Sequence, residues 1–375
     1  MRITIVLGPF QALPPHGYGA VEKIWYEFAR MFSQLGHQVV VIGKSAAETT
    51  NPLPVRGIRI VPLRGYTVTA RLWANLLLDL CYSLQVRRTI EPAEIVVTNT
   101  FWTPVLLSIG RRRLGKIVVH VARFPKGQMS LYHGADALQA ISSAVANEII
   151  RQTPSVGRKV HVLPYAVDLQ TFQPPATARR YDAELIVLYA GRIHPEKGVH
   201  LLIEAMRRLV TRVPRARLRA VGPVAVEQGG GGSTYLETLK AAAAGLPVEF
   251  VAPIREPVAL ALEYQRAHCF CYPSLAERGE AFGLSALEAM ATALPVVVSN
   301  LACFGDFIVP GRDGLIFDHR TPVPALALAE VLEHALSDSG VASRLGRNAA
   351  NRAQDFGLER IARRYLDFFE EIARS

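Results

Sequence analysis

The sequence predicts an α/β protein built of two doubly wound halves, and three observations predict it. Short apolar runs of strand length alternate with helix-length amphipathic stretches from end to end, the mark of parallel sheets buried on both faces. The alternation lapses near residue 166 and restarts near residue 184. The 375 residues are long for one hydrophobic core and suit two domains.

RITIVL (2–7) opens as a strand, and a helical stretch follows over 21–35. QVVVI (38–42), EIVVT (94–98), KIVVHV (116–121), ALQAIS (137–142) and VHVLP (160–164) read as further strands. AVDLQTFQPPATARR (166–180) is polar, lacks a period and carries adjacent prolines, so it reads as a linker. ELIVLYAGR (184–192) restarts the pattern, and VHLLIEAMRRLV (199–210) is an amphipathic helix. RLRAVG, VEFVAP, CFCYPS and PVVVS are the later strands, and LERIARRYLDFFEEIARS (358–375) closes the chain as a helix. TARLWANLLLDLCYSLQVRR (69–88) mixes leucine, tryptophan and terminal arginines; it reads either as a core helix or as one resting on a membrane surface.

The formal charge is +10. Residues 1–170 hold 19 basic and 9 acidic residues, whereas 171–375 hold 23 of each, so the whole surplus lies in the first half. Such a half attracts nucleic acid, anionic lipid or an acidic small molecule. No RNA or DNA motif accompanies it, so nucleic acid is not expected as a partner. No apolar run reaches membrane-spanning length. Met1 leads straight into the first strand with no cleavage site after it, so no secretory leader is expected, and a cytoplasmic protein is. Cys81, Cys269, Cys271 and Cys303 form no CxxC pair and read as reduced, mostly buried thiols, so no metal site is expected. No GxGxxG or GxxxxGK[ST] follows the first strand. GGGGST (229–234) reads as a flexible surface connection, with phosphate cradling as the alternative.

Three stretches carry candidate chemistry. PPHGYGAVEKIWYEF (14–28) follows the first strand, where open α/β sheets place ligands. Gly17 and Gly19 allow close backbone approach there, just before a helix N-terminus. AGRIHPEKGVHLLIEAM (190–206) takes the same position in the second half, and Arg192 and Lys197 suit a diphosphate. YPSLAERGEAFGLSALEAMATALPVVVS reads strand, loop, helix, strand. Leu284, Leu287, Met290 or Ala291, and Leu294 form its packing stripe. Glu280 and Glu288 flank an exposed turn whose N–H groups at Phe282, Gly283 and Leu284 suit an anion, while the carboxylates suit sugar hydroxyls.

In that order, HGYGAVE, GRIHPEKG and EAFGLSALEAMA resemble glycosyltransferase family 4, and LGHQVVV, LPYAVDLQTF and GRDGLIFD extend the resemblance nearly full length. It implies the GT-B fold, two Rossmann-like domains facing across a cleft. Residues 1–170 are then expected to bind acceptor, 171–357 to bind the nucleotide sugar, and 358–375 to cross back onto the first domain. The resemblance implies a retaining, metal-independent hexosyl transfer with no cofactor beyond a UDP- or GDP-sugar co-substrate. The acceptor would be a saccharide or lipid-linked molecule of cell-surface polysaccharide or glycolipid synthesis, with an anionic membrane surface as a candidate contact. Gly17 and Gly19 would line the donor phosphate and acceptor cleft, Arg192 and Lys197 would neutralise the donor diphosphate, Glu280 would hold the transferred sugar and Glu288 the ribose. Phe282, Gly283 and Leu284 would supply backbone contacts. His120 matches a histidine beside the reacting sugar, and Arg123 and Lys126, close behind it, are acceptor candidates. The chain departs from the family pattern at Tyr165-Ala166, where Asn-Gly is usual, at ACFGDF (302–307), and at Ala20. A same-fold nucleotide-sugar epimerase or hydrolase, a phosphorylase and a non-catalytic sugar-nucleotide binder are the rival readings.

Overall fold

The computed structural model describes residues 1–13, 20–45, 57–110 and 114–375. Gly17, Gly19 and the three arginines at 111–113 lie outside the described residues. The chain divides into two compact units, residues 1–166 with 358–375, and residues 167–357.

The first unit runs β1 (Arg2–Val6), β2 (Ala12–Leu13), α1 (Ala20–Gln34), β3 (Gln38–Ser45), β4 (Ile58–Leu63), α2 (Leu72–Thr89), β5 (Ile95–Thr98), α3 (Thr103–Ser108), β6 (Lys116–Val121), β7 (Ala137–Ala140), α4 (Ser143–Gln152) and β8 (Val160–Val162). Its strands pair in parallel in the order β2-β3-β1-β5-β6-β7-β8, with β4 also on β3. β1 and β5 are spatial neighbours although the chain builds outward from each in opposite directions. That reversal opens a crevice at their carboxyl ends.

The second unit runs β9 (Leu185–Ala190), α5 (Val199–Arg212), β10 (Ala216–Val221), α6 (Gly232–Ala242), β11 (Val248–Val251), α7 (Pro257–Arg266), β12 (Cys269–Tyr272), α8 (Leu284–Ala291), β13 (Val296–Ser299), β14 (Leu315–Phe317), α9 (Pro324–Ser337) and α10 (Ser339–Ala353). Its parallel order is β11-β10-β9-β12-β13-β14, which places the reversal between β9 and β12. The central strands β9, β12 and β13 are almost wholly buried because helices cover both faces, whereas β10 and β11 toward the edge carry Arg217, Arg219 and Glu249. α10 starts on Asp338, whose carboxylate accepts from the N–H groups of Gly340 and Val341.

The last helix, α11 (Leu358–Arg374), packs within the first unit. Ile361, Tyr365, Phe369 and Ile372 recur at helical spacing and are buried. Tyr365 meets Trp25 and Phe28 of α1 at ring separations of 5.4 and 4.8 Å, and its hydroxyl donates to Leu163 O at 3.2 Å. Each such aromatic removed from water stabilises by about 1.5–3 kcal/mol.

Two sequence readings change, at 166–180 and at 69–88. The 166–180 stretch is not a loose linker: Phe172 is buried, and Arg179 donates to Ala293 O at 2.7 Å and Thr292 O at 2.9 Å, just past the end of α8. A cation at a helix C-terminus satisfies carbonyls that the helix itself leaves unpaired. Cys81 is exposed, unlike the other three cysteines. The 69–88 stretch is a helix with a mixed inner face and an apolar stripe outside: Asp79, Tyr82, Ser83 and Val86 are buried, whereas Leu72, Trp73, Leu77 and Leu84 are exposed. Asp79 turns inward because it accepts from the N–H groups of Phe101 and Trp102 at the start of α3. No helix among the described residues is long and apolar enough to cross a membrane.

Candidate active site

In the second unit the loops after β9 and β12 meet at the chain reversal. The β9 loop turns through Pro195–Lys197 and ends at Gly198, whose φ is +70°. A side chain there would strike Pro273 O at 2.0 Å, so only glycine lets this loop lie against the β12 loop. The two are tied by Leu275 N–H donating to Glu196 O at 2.8 Å.

This contact brings Lys197 and Glu280 together. Lys197 Nζ donates to Glu280 Oε2 at 2.7 Å, and the side chains are only 5% and 7% exposed. Lys197 also lies 5.6 Å from the Tyr272 ring centre, on a ring stacked with Tyr189. Arg192 donates to Glu196 Oε1 at 2.7 Å and to Gly229 O at 2.8 Å. Burial raises the Glu196 carboxyl, but the Arg192 hydrogen bond and the charges of Lys197, Arg192 and His194 outweigh it and hold the carboxyl below its usual range. Each of the two cations is matched by an acid, because a buried or half-buried charge without a partner is costly.

The glycine stretch also belongs here. Gly229 supplies the carbonyl to Arg192, and Gly231 N–H donates to Ile193 O at 2.8 Å. A side chain on Gly231 would come within 3.1 Å of Pro195. The sequence alone offered no signal for this, since the tie is between backbones.

The turn before α8 is not exposed as expected. Phe282 is buried against Phe307 at 5.2 Å. Gly283 caps α8 with φ +83°, and a Cβ there would sit 2.5 Å from Phe304. Phe304 and Phe307 come from the ACFGDF departure, so aromatic bulk supports the turn from beneath. Leu284 is half-buried, and the packing face of α8 is Ala286, Leu287, Met290 and Ala291. Glu288 is half-buried and accepts from the Tyr264 hydroxyl at 3.0 Å. Tyr264, on α7, was not legible as a site residue in the sequence.

In the first unit His120 is the next-to-last residue of β6 and is buried. Gln139 donates its amide N–H groups to Ala140 O and Leu163 O, which leaves its oxygen to face His120 Nδ1. Nδ1 therefore carries the proton, and Nε2 accepts from the Tyr165 hydroxyl at 3.2 Å. Burial drives the His120 pKa down to about 4, against the Gln139 hydrogen bond, so the ring is neutral at pH 7. Tyr165, the chain's departure from Asn-Gly, is thus a direct partner of His120. Burial raises the carboxyl of Glu22, on α1, and outweighs the opposing pull of its own backbone N–H and the Arg123 charge. Arg123 and Lys126 are exposed. Among the described residues no cluster of three or more His, Cys, Asp or Glu is placed to hold a metal ion.

Comparison with known proteins follows the same two units. The family described as Glycosyltransferase Family 4 matches residues 21–171, and the one described as Glycosyl transferases group 1 matches residues 175–352. A D-inositol 3-phosphate glycosyltransferase of Streptomyces avermitilis is 33% identical over 254 residues, 65% of this chain and 53% of that protein. Its counterpart in Kribbella flavida is 33% identical over 251 residues, 64% and 57% respectively. The chain thus spans just over half the length of these curated relatives. Among solved structures, sucrose-phosphate synthase from Thermosynechococcus elongatus aligns with a TM-score of 0.77 at 21% identity over 100% of both chains. Anabaena HepE in complex with UDP and glucose aligns with a TM-score of 0.75 at 16% identity, over 99% of this chain and 100% of that one. Two parallel sheets, each reversing at its centre, are the GT-B fold, and with the two family matches together spanning 21–171 and 175–352 the chain is a glycosyltransferase of the GT4 type.

Proposed function

We propose that this chain transfers a hexosyl unit from a UDP- or GDP-sugar to a saccharide or lipid-linked acceptor, with retention at the anomeric carbon and without a metal ion. The observation that carries the reading is the buried Lys197–Glu280 pair at the reversal between β9 and β12. One charge of each sign at a sheet's ligand-binding edge suits a molecule that is anionic at one end and hydroxylated at the other. HepE, of like fold, holds UDP and glucose, and the inositol-phosphate enzymes are named for a phosphorylated acceptor; both lend support.

The bond from the anomeric carbon to the diphosphate oxygen breaks, leaving positive charge on the sugar and negative charge on the diphosphate. Lys197 and Arg192 stabilise the growing negative charge. The acceptor oxygen attacks on the face the diphosphate leaves, and its proton passes to a leaving phosphate oxygen. Glu280 orients Lys197 and accepts from sugar hydroxyls, and Glu288, oriented by Tyr264, accepts from the ribose. Backbone around Phe282, Gly283 and Leu284 receives phosphate oxygens. Gly17 and Gly19 line the donor phosphate. His120, neutral and fixed in one tautomer, serves as a hydrogen-bonding group beside the sugar. Arg123 and Lys126 receive an anionic part of the acceptor. We assign the work to cytoplasmic synthesis of surface polysaccharide or glycolipid.

The test is a thermal-shift panel of UDP-, GDP- and ADP-sugars, followed by product analysis with the donor that binds. Stabilisation by one nucleotide series, weakened in Arg192→Gln, is expected. No shift with any nucleotide sugar would sink the reading.

A further inference from the structure

The outer face of α2 carries exposed apolar residues that the proposed reaction does not use. Leu72, Trp73 and Leu77 are 73%, 60% and 54% exposed, and Leu84 continues the stripe. Positions 73, 77, 84 and 88 fall on one side of a helix, opposite buried Asp79, Tyr82 and Val86. Isolated apolar residues on a surface are ordinary, but a contiguous tryptophan and leucine stripe marks an interaction site. Exposed arginines stand at both ends, Arg71 before the helix and Arg88 in its last turn.

We infer that this face of α2 seats on an anionic lipid surface, with Trp73 and Leu77 entering the interface and Arg71 and Arg88 meeting lipid phosphates. Charge selects this occupant. The chain's basic surplus lies wholly in residues 1–170, and a helix with apolar residues flanked by arginine matches an anionic interface on both counts. A second copy of this chain docked face to face would oppose arginine to arginine. Position adds to the case. Trp102, just past the carboxyl end of β5, donates its indole N–H to Leu76 O at 3.0 Å, so the start of α2 lies beside the ligand-bearing edge of its own sheet. A lipid surface held there is next to where a lipid-linked acceptor would be presented. The inference stands on the surface itself, so vesicle binding and glycosyl transfer can fail independently.

The test is co-sedimentation of the full chain with phosphatidylcholine vesicles with and without phosphatidylglycerol, at low and moderate salt. Cys81, the exposed cysteine on α2, carries an environment-sensitive fluorophore in a parallel measurement. Binding to anionic vesicles that weakens with salt, a blue shift of the label, and a loss of about tenfold or more in Trp73→Glu/Leu77→Glu support the inference. Unchanged thermal unfolding shows that this variant is folded. Arg71→Gln/Arg88→Gln is expected to lose preference for the anionic vesicles. No binding to anionic vesicles, equal binding to neutral ones, or binding unaffected by the Trp73/Leu77 change would overturn it. So would a dimer that dissociates in that variant while vesicles are ignored, since a second copy would then hold the face.

Discussion

Lys197 and Glu280 are 83 residues apart in the chain and 2.7 Å apart in space, in the loops that follow the neighbouring strands β9 and β12. Removing either leaves the other as an unmatched buried charge. Lys197→Ala and Glu280→Ala are each expected to lower stability by about 3–5 kcal/mol, and the double variant by clearly less than the sum. Urea denaturation of the four proteins checks this; additive losses would refute the coupling. Lys197→Ala should also lose about 2–4 kcal/mol of transition-state stabilisation in transfer, the scale of a lost oxyanion donor.

Arg192 grips two acceptors at once, Glu196 and Gly229 O. Lysine has the charge without the planar fork. Arg192→Lys should keep the fold and lower kcat/KM by about tenfold, roughly 1.4 kcal/mol. Steady-state kinetics decides, and an unaltered kcat/KM would mean that the fork is idle.

Gly283 is held at φ +83° with Phe304 where a Cβ would go. Gly283→Ala should cost about 2–3 kcal/mol from the left-handed backbone and the clash together. Trimming the ring with Phe304→Leu in the same chain should recover part of that loss. Calorimetric melting of both variants provides the measurement, and a Gly283→Ala protein as stable as the parent would contradict the turn geometry.

His120 is neutral in the fold, with its pKa at about 4, while the unfolded chain's histidine titrates near its ordinary 6.5. The unfolded state therefore binds the proton first as pH falls. The stability this group contributes is whole above about pH 6.5 and is lost progressively down to about pH 4, on the order of 3 kcal/mol in all. His120→Gln should remove that slope. Denaturation midpoints at pH 7 and pH 5 for both proteins test it; identical pH dependence would exclude His120 as the cause.

Much of this was legible beforehand, for local reasons. The strands announce themselves as β-branched runs, such as Ile95 to Thr98 or Val296 to Ser299, because burial on both faces leaves no room for polar alternation. The restart at residue 184 separates two sheets, and a β-strand, loop, helix order is enough to place Arg192, Lys197 and Glu280 at strand ends. The helix at 69–88 was legible as a helix, but not which of its faces would be buried. Leu77 and Leu84 face water on the side opposite Asp79, which the start of α3 holds inward, and no periodicity count weighs that hydrogen bond.

By itself the sequence determined the two-sheet α/β architecture, the family, and which loops carry charge, since each follows from residue type and short-range spacing. Only the tertiary structure decided the pairings: Lys197 with Glu280, Glu288 with Tyr264, His120 with Tyr165, and the glycine stretch with Arg192. Those depend on which strands become neighbours. Neighbourhood is set by how the whole chain packs, and a side chain's charge, tautomer and exposure are settled by the partners that packing supplies.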